Sequence, residues 1–207
     1  GLDKEVRVWD VASGTSYVLA GHSDYVYGLS FSPDGKQLAS GGWDQVVLVW
    51  NLASRTIATR LPATNRVWGV RFSPSGKQIA AATRDGNLNV WDTATGGHDA
   101  MSGNTGVLTE IAYSPNGSAI AAGTLDGGVR LFSLPGLKEL SGQLTSATVS
   151  NNGVLIAGGV ESTPSADPTY DVKLWQVQGG LFERMFDPAH RHSGEVVAVA
   201  VSDDRQY

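Results

Sequence analysis

The chain has 207 residues, a formal net charge of −5, 41% hydrophobic and 17% charged residues, 26 glycines and no cysteine. That hydrophobic share buries a core and excludes a disordered chain, low charge with abundant glycine disfavours coiled coils and long exposed helices, and the acidic balance argues against a bulk grip on nucleic-acid phosphates. The missing cysteines remove disulfides, thiolate zinc sites and thiol nucleophiles; no apolar run reaches the ~18 residues of a membrane helix and the N-terminus carries no basic-then-apolar leader, so the expectation is a cytoplasmic protein with no membrane contact.

Along the chain, the first element is a strand ending Val6-Arg7-Val8-Trp9. Gly21-His22 follows, then a strand over 25–31, Tyr-Val-Tyr-Gly-Leu-Ser-Phe. Ser32-Pro33-Asp34-Gly35 is a turn, with Pro setting φ and Gly accepting a positive φ. Residues 36–40 form a second strand of small apolar residues, Gly41-Gly42-Trp43-Asp44 a tight turn, 46–50 an alternating third strand and 55–61 a more polar fourth. This unit then recurs. The aromatic that closes the third strand stands at Trp9, Trp50, Trp91, Phe132 and Trp175, with spacings of 41, 41, 41 and 43 residues. The turn marker returns at Ser73-Pro74-Ser75-Gly76, Ser114-Pro115-Asn116-Gly117 and Ser150-Asn151-Asn152-Gly153, with Ser202-Asp203-Asp204 near the C-terminus. Four antiparallel strands in a unit of about 40 residues make one blade of a propeller.

Gly21-His22, the Ser-Pro-x-Gly turns and the pairs Trp9-Asp10, Trp50-Asn51 and Trp91-Asp92 are the residues by which the chain resembles WD40-repeat proteins over essentially its whole length. The resemblance implies an all-β fold, a β-propeller of four-stranded antiparallel blades. The register divides the chain into a partial blade at 1–20, blades at 21–61, 62–102 and 103–141, a blade at 142–188 with an inserted loop at 161–170, and a partial blade at 189–207. Joining the two ends would leave a second strand about four residues short and its backbone unpaired. The expectation is therefore an incomplete arc of a larger ring of about seven blades, completed by further blades of the same or another chain.

His22, Ser40 and Asp44 look like a hydrolase triad. With Trp50, however, they occupy the positions at which WD40 blades share a buried hydrogen-bond chain, so the resemblance implies a structural network and no catalytic role. In the next blades Ala63, Ala81 and Ala122 replace these polar residues and Phe132 replaces the Trp, so packing is expected to take over there. His190 and His192, near Asp187 and Glu195, lack a third ligand at a convincing spacing, and no metal or cofactor is expected. Glycine-rich pieces such as 123–128 lack the Lys and helix of a phosphate loop. An enzyme is not expected.

The candidate binding residues come from comparing positions 41 apart. Trp43 and Arg84 precede the turn aspartates, Tyr25 and Arg66 open the first strands, and Tyr27 and Trp68 lie two residues further on. Val26, Leu29 and Phe31, like Val67, Val70 and Phe72, read as the packed positions, which leaves Tyr25, Tyr27, Trp43, Arg66, Trp68 and Arg84 at the channel rim. Aromatics and arginine dominate interface hot spots. They could clamp a peptide or an arginine by stacking, or meet a carboxylate through Arg66 and Arg84. The function read from this is a non-catalytic scaffold docking a protein or peptide. The competing reading is a regulatory sensor propeller within a larger signalling ATPase, kinase or protease.

Overall fold

In a computed structural model of the chain, residues 1–101, 106–125 and 128–134 are described with their side chains, and beyond them the backbone of five strands. Every regular element among the described residues is a strand, and none is a helix that could cross a membrane. The chain forms two compact units, 1–111 and 112–207.

The first unit opens with β1 (Glu5–Trp9) and β2 (Ser16–Ala20), an antiparallel pair. A four-stranded antiparallel sheet follows in sequence order, β3 (Val26–Phe31), β4 (Gln37–Gly42), β5 (Val46–Asn51) and β6 (Thr56–Pro62). A second repeats it: β7 (Val67–Phe72), β8 (Gln78–Thr83), β9 (Leu88–Asp92) and β10 (His98–Met101). β11 (Leu108–Tyr113) carries the chain into the second unit. There β12 (Ala119–Thr124) and β13 (Val129–Ser133) pair antiparallel, and the two-residue β14 (Lys138–Glu139) lies beside β13. β15 (Leu144–Val149), β16 (Leu155–Glu161), β17 (Tyr170–Gln176) and β18 (Phe182–Met185) continue the sheet in order.

The inner hairpins close in one way. The hydroxyl of Ser32 donates to Asp34 (2.7 Å), the Gln37 amide donates to the Ser32 hydroxyl (2.9 Å), and Gly35 sits at φ +68°. Ser73 with Gly76 (φ +70°) and Ser114 with Gly117 (φ +73°) repeat the arrangement. The acidic or amide residue after the third-strand Trp builds the outer turn. Asp92 accepts from the amides of Ala94 (3.0 Å) and Thr95 (2.7 Å), as Asn51 does from Ala53 and Ser54 (both 3.0 Å). Such side-chain acceptors satisfy turn amides that no ladder reaches.

Alternation along β5 sends Val47 and Val49 to one face and Leu48 and Trp50 to the other. Leu48 and Trp50 join Val6, Leu19, Val26 and Leu38 in one core. Val47 and Val49 join Val67, Val70, Phe72, Ile79 and Trp91 in the other. The cores thus lie between successive sheets, as blade stacking requires. Gly28 and Gly69, one repeat apart, permit the contact. A Cβ on Gly28 would stand 2.7 Å from the Val70 amide nitrogen, and one on Gly69 2.8 Å from the Thr109 carbonyl oxygen.

Three expectations need correction. Leu29 and Phe31 are 44% and 57% exposed, whereas Val70 and Phe72 are buried. Val70 lies against Gly28 and Gly41 of the preceding sheet, while the pair β1–β2 offers no inner strands to cover Leu29 and Phe31. Gly41 and Gly42 belong to strand β4 and not to a turn: Gly41 abuts Val67, and a Cβ on Gly42 would meet His22 Nδ1 at 2.8 Å. The turn is Trp43-Asp44-Gln45, with Gln45 itself at φ 64°. Glu161 and Tyr170, the ends of the expected insertion, are paired across β16 and β17. Residues 162–169 of that insertion and the partial blade at 189–207 with His190 and His192 lie outside the described residues.

Candidate partner-binding site

The six rim residues are placed by two successive sheets using the same backbone contacts. At each strand entrance the preceding side chain accepts the next amide: Asp24 from Tyr25 and Asn65 from Arg66, both at 2.8 Å. The turn after the second strand then docks on that entrance. The Trp43 amide donates to the Tyr25 carbonyl (2.8 Å) and the Arg84 amide to the Arg66 carbonyl (2.9 Å). Positions 25 and 43, and 66 and 84, are therefore neighbours although 18 residues apart in sequence.

Tyr27 and Trp68 owe their direction to β-bulges. Val26 pairs with Gly42 and Gly28 with Gly41, so Tyr27 is the extra residue in β3; Val67 pairs with Thr83 and Gly69 with Ala82, so Trp68 is the extra residue in β7. A bulged residue leaves the ladder and its side chain is re-aimed. Here the two side chains meet. Tyr27 stacks on Trp43 (centroids 5.2 Å apart, planes 14°) and contacts Trp68 at 5.1 Å. Trp43 also touches Trp68 at 5.9 Å and Tyr25 at 5.5 Å. The Arg66 guanidinium lies over the Trp43 ring, 4.7 Å from its centroid. Each such aromatic contact contributes about 0.5–1.5 kcal/mol beyond its buried area.

This packing differs from the open clamp that spacing alone implies. Trp43, Trp68 and Arg66 are half-buried, while Tyr25, Tyr27 and Arg84 are exposed. The cation position over Trp43 is filled by the chain's own Arg66. The indole nitrogens of Trp43 and Trp68 are shielded and have no hydrogen-bond acceptor. Neither Arg66 nor Arg84 forms an ion pair among the described residues, whereas Arg71 pairs with Glu110 at 3.0 Å. The turn carboxylates are bonded to other groups, Asp44 with its side chain buried to His22 and Ser23 and the exposed Asp85 to Thr83 and Asn87, while Asp24 accepts the Tyr25 amide.

His22, Ser40, Asp44 and Trp50 come together as one chain of hydrogen bonds. The Trp50 Nε1–H donates to Ser40 Oγ (2.7 Å), Ser40 lies 2.7 Å from His22 Nε2, and His22 Nδ1 lies 2.9 Å from Asp44. With Nδ1–H donating to the carboxylate, Nε2 is the acceptor and the Ser40 hydroxyl donates to it. Every polar atom in the chain is then satisfied. Ser40 is fully buried and its oxygen also accepts the Trp50 indole N–H, so the hydroxyl is closed off from solvent.

The second sheet does not fall back on packing alone. A polar network two residues further along β8 replaces the missing one. The Thr83 hydroxyl reaches Asp85 (2.5 Å) and the Asn87 carbonyl (2.8 Å), and Thr64 lies 3.3 Å from Thr83. Asn89 Nδ2 donates to Thr64 (3.2 Å), Asn89 Oδ1 meets His98 Nε2 (3.0 Å), and His98 stacks on Trp91 at 4.9 Å. The available signal was that Thr83 and Asn89 stand one repeat after Gly42 and Leu48.

Comparison with known proteins agrees with the repeat geometry. The family profile described as "WD domain, G-beta repeat" matches residues 14–51, 55–92 and 95–133, just over half of the chain. Over 39 residues the chain is 49% identical to Coronin-7 of Rattus norvegicus, a match covering 18% of this chain and 4% of that protein. Over 39 residues it is 51% identical to the nuclear distribution protein PAC1 of Mycosarcoma maydis, covering 18% of this chain and 9% of that one. The chain thus spans only a small part of the length of these relatives.

Proposed function

We propose that this chain, which belongs to the WD40-repeat family, is a non-catalytic docking surface for a protein or peptide segment. The segment binds where the entrances of β3 and β7 meet the turns after β4 and β8. The observation that supports this most is the bulge-directed cluster of Tyr25, Tyr27, Trp43 and Trp68 with Arg66 upon it and Arg84 beside it. Solvated turns rarely gather four aromatics and two arginines, and these residue types supply most hot-spot energy in interfaces. The second observation is rigidity: both display turns are held by backbone hydrogen bonds and by anchored aspartates, so little entropy remains to be lost on docking.

The test is a dodecamer peptide display library selected on the protein, with affinities of the winners measured by interferometry. Trp43→Ala combined with Arg84→Glu is expected to weaken binding at least tenfold. Lys36→Glu combined with Lys77→Glu, on the opposite strand ends, is expected to leave it within twofold. Equal losses from both pairs would sink the assignment of the face.

A further inference from the structure

Resting on that docking reading, we infer that the face selects segments carrying carboxylates, so that its partner is an acidic peptide stretch. Three observations converge. The first is uncompensated charge. The chain carries a net charge of −5, yet Arg66 and Arg84, joined by a backbone hydrogen bond of 2.9 Å, have no carboxylate partner among the described residues. Of the carboxylates next to them in the turns, the Asp44 side chain is buried against His22, and the exposed Asp85 is bonded to Thr83 and Asn87 and to neither arginine.

The second is that the cation position of the aromatic cluster is already occupied. Arg66 lies on Trp43 at 4.7 Å, and the Tyr27 ring covers Trp43 as well. An incoming arginine or lysine would find that ring face filled and would meet two like charges. A carboxylate would find two guanidiniums, one of them held over the Trp43 ring, and each able to make a forked contact.

The third is an excess of donors. The Arg66 and Arg84 guanidiniums are donor-only, and the exposed Tyr25 and Tyr27 bring two hydroxyls to the edge of the cluster. A site rich in donors and poor in acceptors pairs with acceptor-only groups, and an ionised Asp or Glu is the acceptor-only side chain. Two arginines within an acidic chain are too few for the repeated phosphates of a nucleic acid, where affinity scales with the number of neutralised phosphates. That chemistry is kept as an arm of the test.

The experiment reads the composition of the peptides selected above. Enrichment of Asp and Glu over the starting library is expected, with affinity falling as salt rises from 50 to 500 mM, concentrations chosen about the screening range. Arg84→Gln, an exposed change that leaves the stacked core untouched, should weaken the selected peptides about threefold to fivefold, and Arg66→Gln with Arg84→Gln about tenfold or more. Replacing Asp and Glu by Asn and Gln in the peptide should reproduce that loss on the native protein and add nothing on the double variant. Peptides that depend on Trp43 but are neutral or basic would overturn this inference and leave the docking face standing. Peptides that depend on Lys36 and Lys77 would overturn both. Binding of labelled oligouridylate with the same dependence on the two arginines, in the absence of acidic enrichment, would also overturn it.

Discussion

Replacing Ser40 with Ala removes one oxygen and leaves two buried groups without partners. Trp50 Nε1–H and His22 Nε2 each meet the Ser40 hydroxyl at 2.7 Å, and no other partner lies in reach of the indole nitrogen. An unsatisfied buried donor or acceptor costs about 1–3 kcal/mol, and the lost hydroxyl volume is too small to matter beside it. The expected loss is therefore about 3 kcal/mol, read as a drop of about 1.5 M in the urea midpoint at a slope of about 2 kcal/mol per molar. A second variant separates hydrogen bonding from volume. Ser40→Ala with Trp50→Phe installs the pair that the third repeat carries as Ala122 and Phe132, both fully buried there. Removing the indole N–H removes one orphan, so the double variant should fall short of the summed single losses by about 1 kcal/mol or more. Peptide affinity per folded molecule should not change, because the His22–Asp44 bond that holds the Trp43 turn is untouched. A single-variant loss below about 1 kcal/mol, or strict additivity in the double, would refute the reasoning.

Thr83→Val should destabilise by about 1–2 kcal/mol, since the hydroxyl bonded to Asp85 and to the Asn87 carbonyl vanishes at nearly constant volume; chemical denaturation of the variant measures it. Gly28→Ala drives a Cβ to 2.7 Å from the Val70 amide nitrogen, so β3 and β7 must separate, and a loss of about 2 kcal/mol or more is expected in the same assay. The Asp92 carboxyl is held below the usual carboxylate range, first by the Thr95 amide and then by the Thr95 hydroxyl and the Ala94 amide. A lowered native pKa stabilises the fold above the ordinary carboxylate range, and that contribution is lost as pH falls through the lowered value. Asp92→Asn keeps the acceptor that Asn51 uses, so the fall in urea midpoint between pH 6 and pH 2.5, on the order of the carboxylate titration range, should be shallower than in the native chain.

Much of the frame was legible because it repeats. A serine, a glycine of positive φ and a strand-closing aromatic at a spacing of 41 residues fix the hairpins, and local turn chemistry needs no knowledge of neighbours. What escaped depends on neighbours. Leu29 and Phe31 carry the same hydrophobic pattern as Val70 and Phe72, but burial is decided by the adjacent sheet and not by the strand itself. The network of Thr64, Thr83 and Asn89 escaped because a polar residue moved two places along a strand faces the same side and keeps the same function, while a position-by-position comparison registers only the loss of Ser and His.

The same distinction explains why the candidate site can vary while the fold does not. Asp44 and Asp85 are anchored by different residues, His22 with Ser23 in one sheet and Thr83 with Asn87 in the next. Yet the residue before each aspartate makes the same backbone bond to its strand entrance, at 2.8 and 2.9 Å. The turn is therefore held by the same main-chain bond and by a bonded carboxylate in both sheets, whichever side chain stands at position 43 or 84. Trp stands in one place and Arg in the other without altering the turn. The bulges act similarly one step inward: Gly28 and Gly69 provide the close approach, and Tyr27 and Trp68 are expelled from the ladder to meet. A frame whose constraints are all met by backbone, glycine and aspartate leaves its display positions free to take the chemistry of a partner. It is at those positions that this chain places Tyr27, Trp43, Trp68 and Arg84, with Tyr25 and Arg66 beside them at the strand entrances.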